Sequence, residues 1–236
     1  MGRSHGIVAA ITMPVVQIAL ALLTLVSSTD VTSATVPEAL AAPACVACQV
    51  DGERIRRTYS AEDWKTLAAG QVLTSEVVDG ELGEVQQGTV QAVGIIPDAP
   101  SRVWTTLVDF AARPRFQPGT KEMRVVRVDD DRVWVAQHLR LFLVDVRYTV
   151  INTLDPASGT IQFVLDESVD HDIAGARGSW RLIPVAAGRH TLLTYRAWID
   201  TGRHIPAFIE QFLLQRSLPD LIGGLRDEVG RRFAVP

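Results

Sequence analysis

The sequence predicts an α+β fold in which a helix pair packs against one strongly curved antiparallel sheet and leaves a cavity between them. Three observations lead there. Between residues 89 and 233 a strand and an amphipathic helix precede a long run of period-two segments, and one further helix closes the chain. The period-two segments are apolar on one parity and polar on the other, as in an antiparallel sheet wet on one side. Clusters of Asp, Pro, Ser and Gly separate them at short intervals, so the strands follow one another as a meander. A helix pair laid on a strongly curved sheet cannot fill the intervening space with backbone, and side chains or a guest molecule must occupy it.

Length and charge bound the rest. The chain has 236 residues, enough for one substantial domain with an N-terminal appendage. Residues 1–42 read as a signal peptide or N-terminal anchor plus linker, 43–87 as an extension, and 88–233 as the ligand-binding domain. Lys and Arg number 23 against 27 Asp and Glu, a net charge of −4 without the dense basic patch that phosphate-backbone binding requires. Nucleic acid is therefore excluded as a partner. Arg54, Arg56 and Arg57 read as a solvated surface cluster.

At the N-terminus, Arg3 precedes an apolar run over 6–26 that lacks an amphipathic period. This predicts export to the periplasm or retention at the membrane. Thr12, Pro14 and Gln17 interrupt the run, whereas its length exceeds a signal-peptide core, so cleaved and anchored forms both fit. Small residues at Ser27, Ser28, Ser33 and Ala34 offer processing sites ahead of an Ala/Thr/Val/Pro-rich linker. Membrane association is a further expectation. Cys45 and Cys48 follow as a CxxC pair. With no second Cys pair or nearby His to complete a zinc site, they read as a local disulfide in an exported chain, with redox chemistry and lipid attachment at Cys45 as alternatives.

Next comes a short helix within 58–73, with Ser60 and Asp63 spaced as a capping box, Trp64 and Leu67 on one side, and Gly70 beyond its end. A polar connection over 76–87 leads to the first long strand, 88–96. Asp98 is placed to cap the following helix, whose first turn accepts Pro100. Val103, Trp104, Leu107, Val108, Phe110 and Ala111 form its apolar side, and Pro114 ends it. Phe116 sits in a compact turn, either at the cavity mouth or tucked beneath its own loop.

The meander has turns at Asp129-Asp130-Asp131, Phe142-Leu143, Asp155 to Gly159, and Ala186-Ala187-Gly188. Its apolar face carries Val144, Val146, Tyr148 and Val150; Ile161, Phe163 and Leu165; Trp180 and Leu182; Leu193, Tyr195 and Ala197. Asp145, Arg147, Thr149, Gln162, Arg181, Thr194 and Arg196 take the opposite face. Trp134, Ala136, His138 and Arg140 lie on a strand whose two parities both mix polar and apolar residues. The last helix begins at Ile205-Pro206 and carries Phe208, Ile209, Phe212, Leu213, Leu221, Ile222, Leu225 and Val229. Pro219 requires a kink or a restart near Ser217, and Gly223-Gly224 allows softness or close packing.

Alternation and the helix stripe nominate Tyr148, Phe163, Trp180, Tyr195, Phe208 and Phe212 as ligand-binding residues. A buried phenol or indole N–H needs a partner, which a ligand head group or water can supply. No nucleophile elbow, metal-spaced His cluster or phosphate-cradling glycine loop occurs, so no catalytic residue, metal ligand or cofactor is assigned. Asp166, Glu167, Asp170, His171 and Asp172 form one titratable concentration, which reads as acid–base machinery at the rim or as an acidic turn.

Several segments carry a resemblance: Asp98-Ala99-Pro100-Ser101-Arg102-Val103-Trp104 with Val108-Asp109-Phe110, Gly178-Ser179-Trp180-Arg181-Leu182, Thr191-Leu192-Leu193-Thr194-Tyr195, and Ile205-Pro206. Together they resemble the START-like superfamily, in particular its coenzyme-Q-binding and polyketide-cyclase branch, over about 88–232. The resemblance implies the helix-grip fold and a hydrophobic tunnel. It also implies binding of an apolar small molecule, and with the N-terminal run the reading is an exported protein that binds or carries a lipid, quinone or polyketide-like molecule. A polyketide cyclase or aromatase acting on such a ligand, and a non-catalytic interaction module, are the alternatives, because fold alone does not choose among them.

Overall fold

The computed structural model describes residues 35–36, 57–77, 88–141, 144–202 and 213–234. The N-terminal apolar run, Cys45 and Cys48, the Phe142-Leu143 turn, and the start of the last helix with Phe208 and Phe212 lie outside them.

Eight strands form one antiparallel sheet in the order β1-β2-β8-β7-β6-β5-β4-β3. They are β1 (Leu73–Glu76), β2 (Val90–Ile96), β3 (Thr120–Asp129), β4 (Arg132–Leu141), β5 (Val144–Asp155), β6 (Thr160–Leu165), β7 (Gly175–Val185) and β8 (His190–Asp200). From β3 to β8 each strand pairs with the next, which is the meander expected from alternation. β2 then pairs with β8, Val90 opposite Ala197 and Ile96 opposite Thr191. The edge strand β1 falls in a stretch whose sequence carries no strand signal. Its four residues are too few to show a period, and pairing with β2 defines it.

Among the described residues three α-helices accompany the sheet: α1 (Ala61–Ala68), α2 (Pro100–Val108) and α3 (Leu218–Arg232). The α1 start is the expected capping box: Ser60 Oγ accepts from the Asp63 N–H at 3.1 Å, and the Asp63 carboxylate accepts from the Ser60 N–H at 2.9 Å. At α2 the N-cap is Ala99, without a side-chain cap. Asp98 lies one residue too early. Its carboxylate instead accepts from the Ala99 N–H at 2.8 Å and from Arg102 at 3.3 Å, bracing the turn ahead of the helix. After Val108 the chain tightens into a 3-10 segment, Phe110–Arg115, which contains Pro114. That tightening turns Ala111 outward and puts Ala112 inside.

Pro219 marks a restart. A π-helical turn over Leu213–Ser217 precedes α3, and Pro219 occupies the first turn of α3, where no internal N–H bond is lost. Gly224 permits close packing, since a Cβ there would lie 2.6 Å from the Phe116 carbonyl oxygen. Phe116 itself is tucked away, 5 % exposed.

The principal core fills the space between one face of the sheet and α2 with α3. Trp104, Leu107, Trp180, Leu193, Ile222 and Leu225 are fully or nearly fully buried in it. Val36, within the stretch read as linker, packs against this core. Val133, Val135 and Leu139 settle the facing of β4: they point inward, with Trp134 outward under the Arg127 guanidinium at 4.3 Å. Val144 departs from its predicted face. It is 58 % exposed because the first residue of β5 overruns the core.

The opposite face is not uniformly wet. Leu67 of α1 covers Val93, Ile183 and Leu192 there, with Tyr59, Trp64 and Leu73 at the margin. Arg147 and Gln162, on strands beyond the reach of α1, are exposed as expected.

Candidate functional site

The candidate site is built on the inner face of the central strands. β6, β7 and β8 place Phe163, Trp180 and Tyr195 side by side. Trp180 and Tyr195 are cross-strand partners whose ring centroids lie 4.3 Å apart, and the Phe163 ring stacks on Tyr195 at 6.3 Å with a 21° interplanar angle. The residue that allows this is Gly178, directly opposite Phe163. A Cβ on Gly178 would collide with the Phe163 ring and the Arg196 carbonyl, so the ring can lie across β7 only because the side chain is absent. Tyr148 on β5 completes the wall, 8 % exposed.

Burial raises the phenol of Tyr195 to about 12, with the positive Arg113 pulling the other way. The Tyr148 phenol is also pushed upward, first by burial and then by Tyr195. Both therefore stay protonated donors at neutral pH. Among the described residues neither hydroxyl has a hydrogen-bond partner, so both are available to an acceptor. Tyr195 and Phe163 are nonetheless only partly buried.

The structure thus brings together four of the six nominated residues, Tyr148, Phe163, Trp180 and Tyr195. Phe208 and Phe212 are outside the described residues. One residue absent from the sequence-based nominations belongs with them. Arg113, in the 3-10 segment, is 4 % exposed and lies over the rings of Phe110 at 4.6 Å and Trp180 at 5.5 Å. A lone arginine in a loop-like stretch carries no sequence signal of burial. Its one clue is position, just past the apolar side of α2.

The acidic stretch after β6 resolves as a turn. The Asp166 carboxylate accepts from the Ser168 N–H and hydroxyl at 3.1 and 2.6 Å, and that of Asp172 from the Arg147 N–H at 2.7 Å. Glu167, Asp170 and His171 are exposed. His138 pairs with Asp145 at 2.7 Å on the outer face. Outside the interior, an open groove of about 600 Å³ runs between Gly70-Gln71-Val72 and the Pro219, Gly223 and Asp227 side of α3.

An eight-stranded antiparallel sheet with a long C-terminal helix packed on its aromatic-bearing face is the START-like helix-grip fold. The chain belongs to the family described as polyketide cyclase / dehydrase and lipid transport, whose family model matches residues 87–222. Solved structures agree on the fold. A protein from Thermus thermophilus is 20 % identical with a TM-score of 0.54, over 62 % of this chain and 99 % of that one. The Zhui aromatase/cyclase of a Streptomyces species is 18 % identical with a TM-score of 0.52, over 61 % and 94 %. A STAR-related lipid transfer protein fragment from Xanthomonas axonopodis is 18 % identical with a TM-score of 0.52, over 66 % and 98 %. No curated protein matches the sequence.

Proposed function

We propose that this protein binds and carries a hydrophobic small molecule of lipid, quinone or polyketide-like character in the space between its sheet and α3. The observation that supports this reading is the Phe163–Tyr195–Trp180 wall, apolar in body, with phenol hydroxyls unpartnered among the described residues. A ligand that is apolar along its length and polar at one point suits such a wall. Both carriers and cyclases occur under the family's description and among its structural neighbours. Carriage is preferred because the carboxylate of Asp166 is spent on its own turn and that of Asp172 on the Arg147 N–H of β5, which leaves His171 without an ordered acid–base partner among the described residues.

The test is mass spectrometry of an organic extract of the purified protein, with a stoichiometric apolar ligand as the expected result. An interior that takes up no apolar probe would reject the reading. Turnover of a candidate lipid or polyketide, abolished by His171→Ala, would replace carriage with catalysis. The proposal includes export, supported by the basic start and apolar run of the sequence. Cell fractionation should find the protein outside the cytoplasm, and an unprocessed, wholly cytosolic protein would remove that part.

A further inference from the structure

We infer that Arg113 is the head-group recognition point of the interior, and that the preferred ligand is an apolar molecule ending in an anionic oxygen group. This rests on the binding reading above and sharpens it.

The guanidinium has five N–H donors. Its Nε donates to the Leu107 carbonyl at 2.8 Å, and this anchors the side chain against the end of α2. Nη2 is sealed from solvent and has no partner among the described residues. No carboxylate among those residues forms an ion pair with Arg113, although other buried or half-buried charges are paired: Glu228 with Arg231 at 2.6 Å, and Arg232 with Asp109 at 2.6 Å. The faces of Phe110 and Trp180 stabilise a cation but leave in-plane donors unsatisfied. Removing a charge from water costs several kcal/mol unless it is paired. Burial lowers the guanidinium to about 10 against the opposing Tyr195 phenol, so it is still charged at neutral pH.

A folded chain keeps such a group where something completes it. Trp180 stands between Arg113 and Tyr195, which places the guanidinium next to the aromatic wall. The chemistry that satisfies a planar cation in an apolar setting is a planar oxyanion, held by charge-assisted hydrogen bonds. Two kinds of molecule carry it: a long-chain carboxylate, or a ring system with an acidic enol.

The experiment compares matched pairs on the full-length protein at neutral pH, by Trp fluorescence and calorimetry. One pair is dodecanoic acid and its methyl ester; the other is 2-hydroxy-1,4-naphthoquinone and its methyl ether. The acid form of at least one pair should bind about tenfold or more tightly than its neutral partner, and the pair that discriminates identifies the source of the oxyanion. Arg113→Met should abolish the difference while leaving the neutral partner's affinity in place, with near-UV circular dichroism checking the fold. If that variant does not fold, the wild-type pairs decide alone. Equal affinity within both pairs, as a resident water on Nη2 would give, overturns the inference and leaves interior binding standing. Failure of all four molecules to bind overturns interior binding and this inference with it.

Discussion

The two sides of the same sheet are packed to different standards. Beneath α1, Leu67, Val93, Ile183 and Leu192 are at most 3 % exposed, and the cluster they form is small, aliphatic and dry. On the other side a far larger core combines fully buried Trp104 and Leu193 with partly accessible Phe163 and Tyr195 and a buried arginine. Alternation along the strands feeds both: Leu192 faces one cluster and Leu193 the other. The difference lies in what covers each face. A short helix with a single buried leucine closes a small aliphatic patch, whereas the larger face, covered by α2 and α3, leaves Phe163 and Tyr195 only partly buried.

The largest test of that difference is Trp104→Ala. Trp104 is completely buried between α2 and the sheet, and its loss should cost about 3–5 kcal/mol, read as a drop in denaturation midpoint. A loss near zero would mean that this core is as loose throughout as it is beside Tyr195. Leu67→Ala should cost about 2–3 kcal/mol, towards the low end for a buried leucine because a peripheral site can collapse. Its more telling signature is faster hydrogen exchange confined to α1, with affinity for an interior probe unchanged. A fall in that affinity would show that the two clusters act as one. Ser60→Ala removes one half of the capping box and should cost about 1 kcal/mol. That loss should be small again in a Leu67→Ala background, if the cap stabilises the protein only by seating α1.

The smallest effect belongs to the far end of the outer face, which no helix among the described residues covers. There Asp145 joins β4 to β5, accepting from Arg140 at 3.2 Å through Nε and meeting His138 at 2.7 Å. Hydrogen bonds from Arg140 and then His138 hold its carboxyl at about 2, below the ordinary carboxylate range. A folded-state value below the unfolded one means that the contribution is complete above about 4 and is lost as pH falls through about 2. Asp145→Asn should therefore flatten the stability profile in that window only, and added salt should shrink the difference. A change confined to pH above 5 would contradict the assignment.

The fold was legible because its signals are periodic. Period two along 144–150 and 191–197 fixed the facing of Tyr148 and Tyr195, and the Ser60–Asp63 spacing fixed the start of α1. Where context rather than period decides, the reading failed. Val144 has the right parity and lies past the core; Ala111 has the right spacing for an α-helix and sits in a 3-10 turn. The outer face was expected to be wet because Thr194 and Arg196 dominate it locally, and nothing in the order of residues says that Leu67 returns to cover Val93. Of the candidate site, the aromatic wall followed from alternation. Arg113 and Gly178 did not, since one is a charge made interior by a tight turn and the other acts through the side chain it lacks.

The pairing of β2 with β8 joins segments about a hundred residues apart, and five strands are made between them. On a ribosome β2 and α2 emerge early, yet β2 must wait for nearly the whole domain before one of its two long edges is covered, and α3 arrives later still. The hairpins from β3 to β7 can form as they appear, because each needs only its neighbour. Trp104 and Trp180 meet a complete surrounding only once β8 and α3 have been made. During that interval the nascent chain exposes the apolar surface that the mature protein hides. The core therefore takes its final form only after every strand of its sheet has been made, and a cell that makes this protein must guard a hydrophobic half-sheet until then.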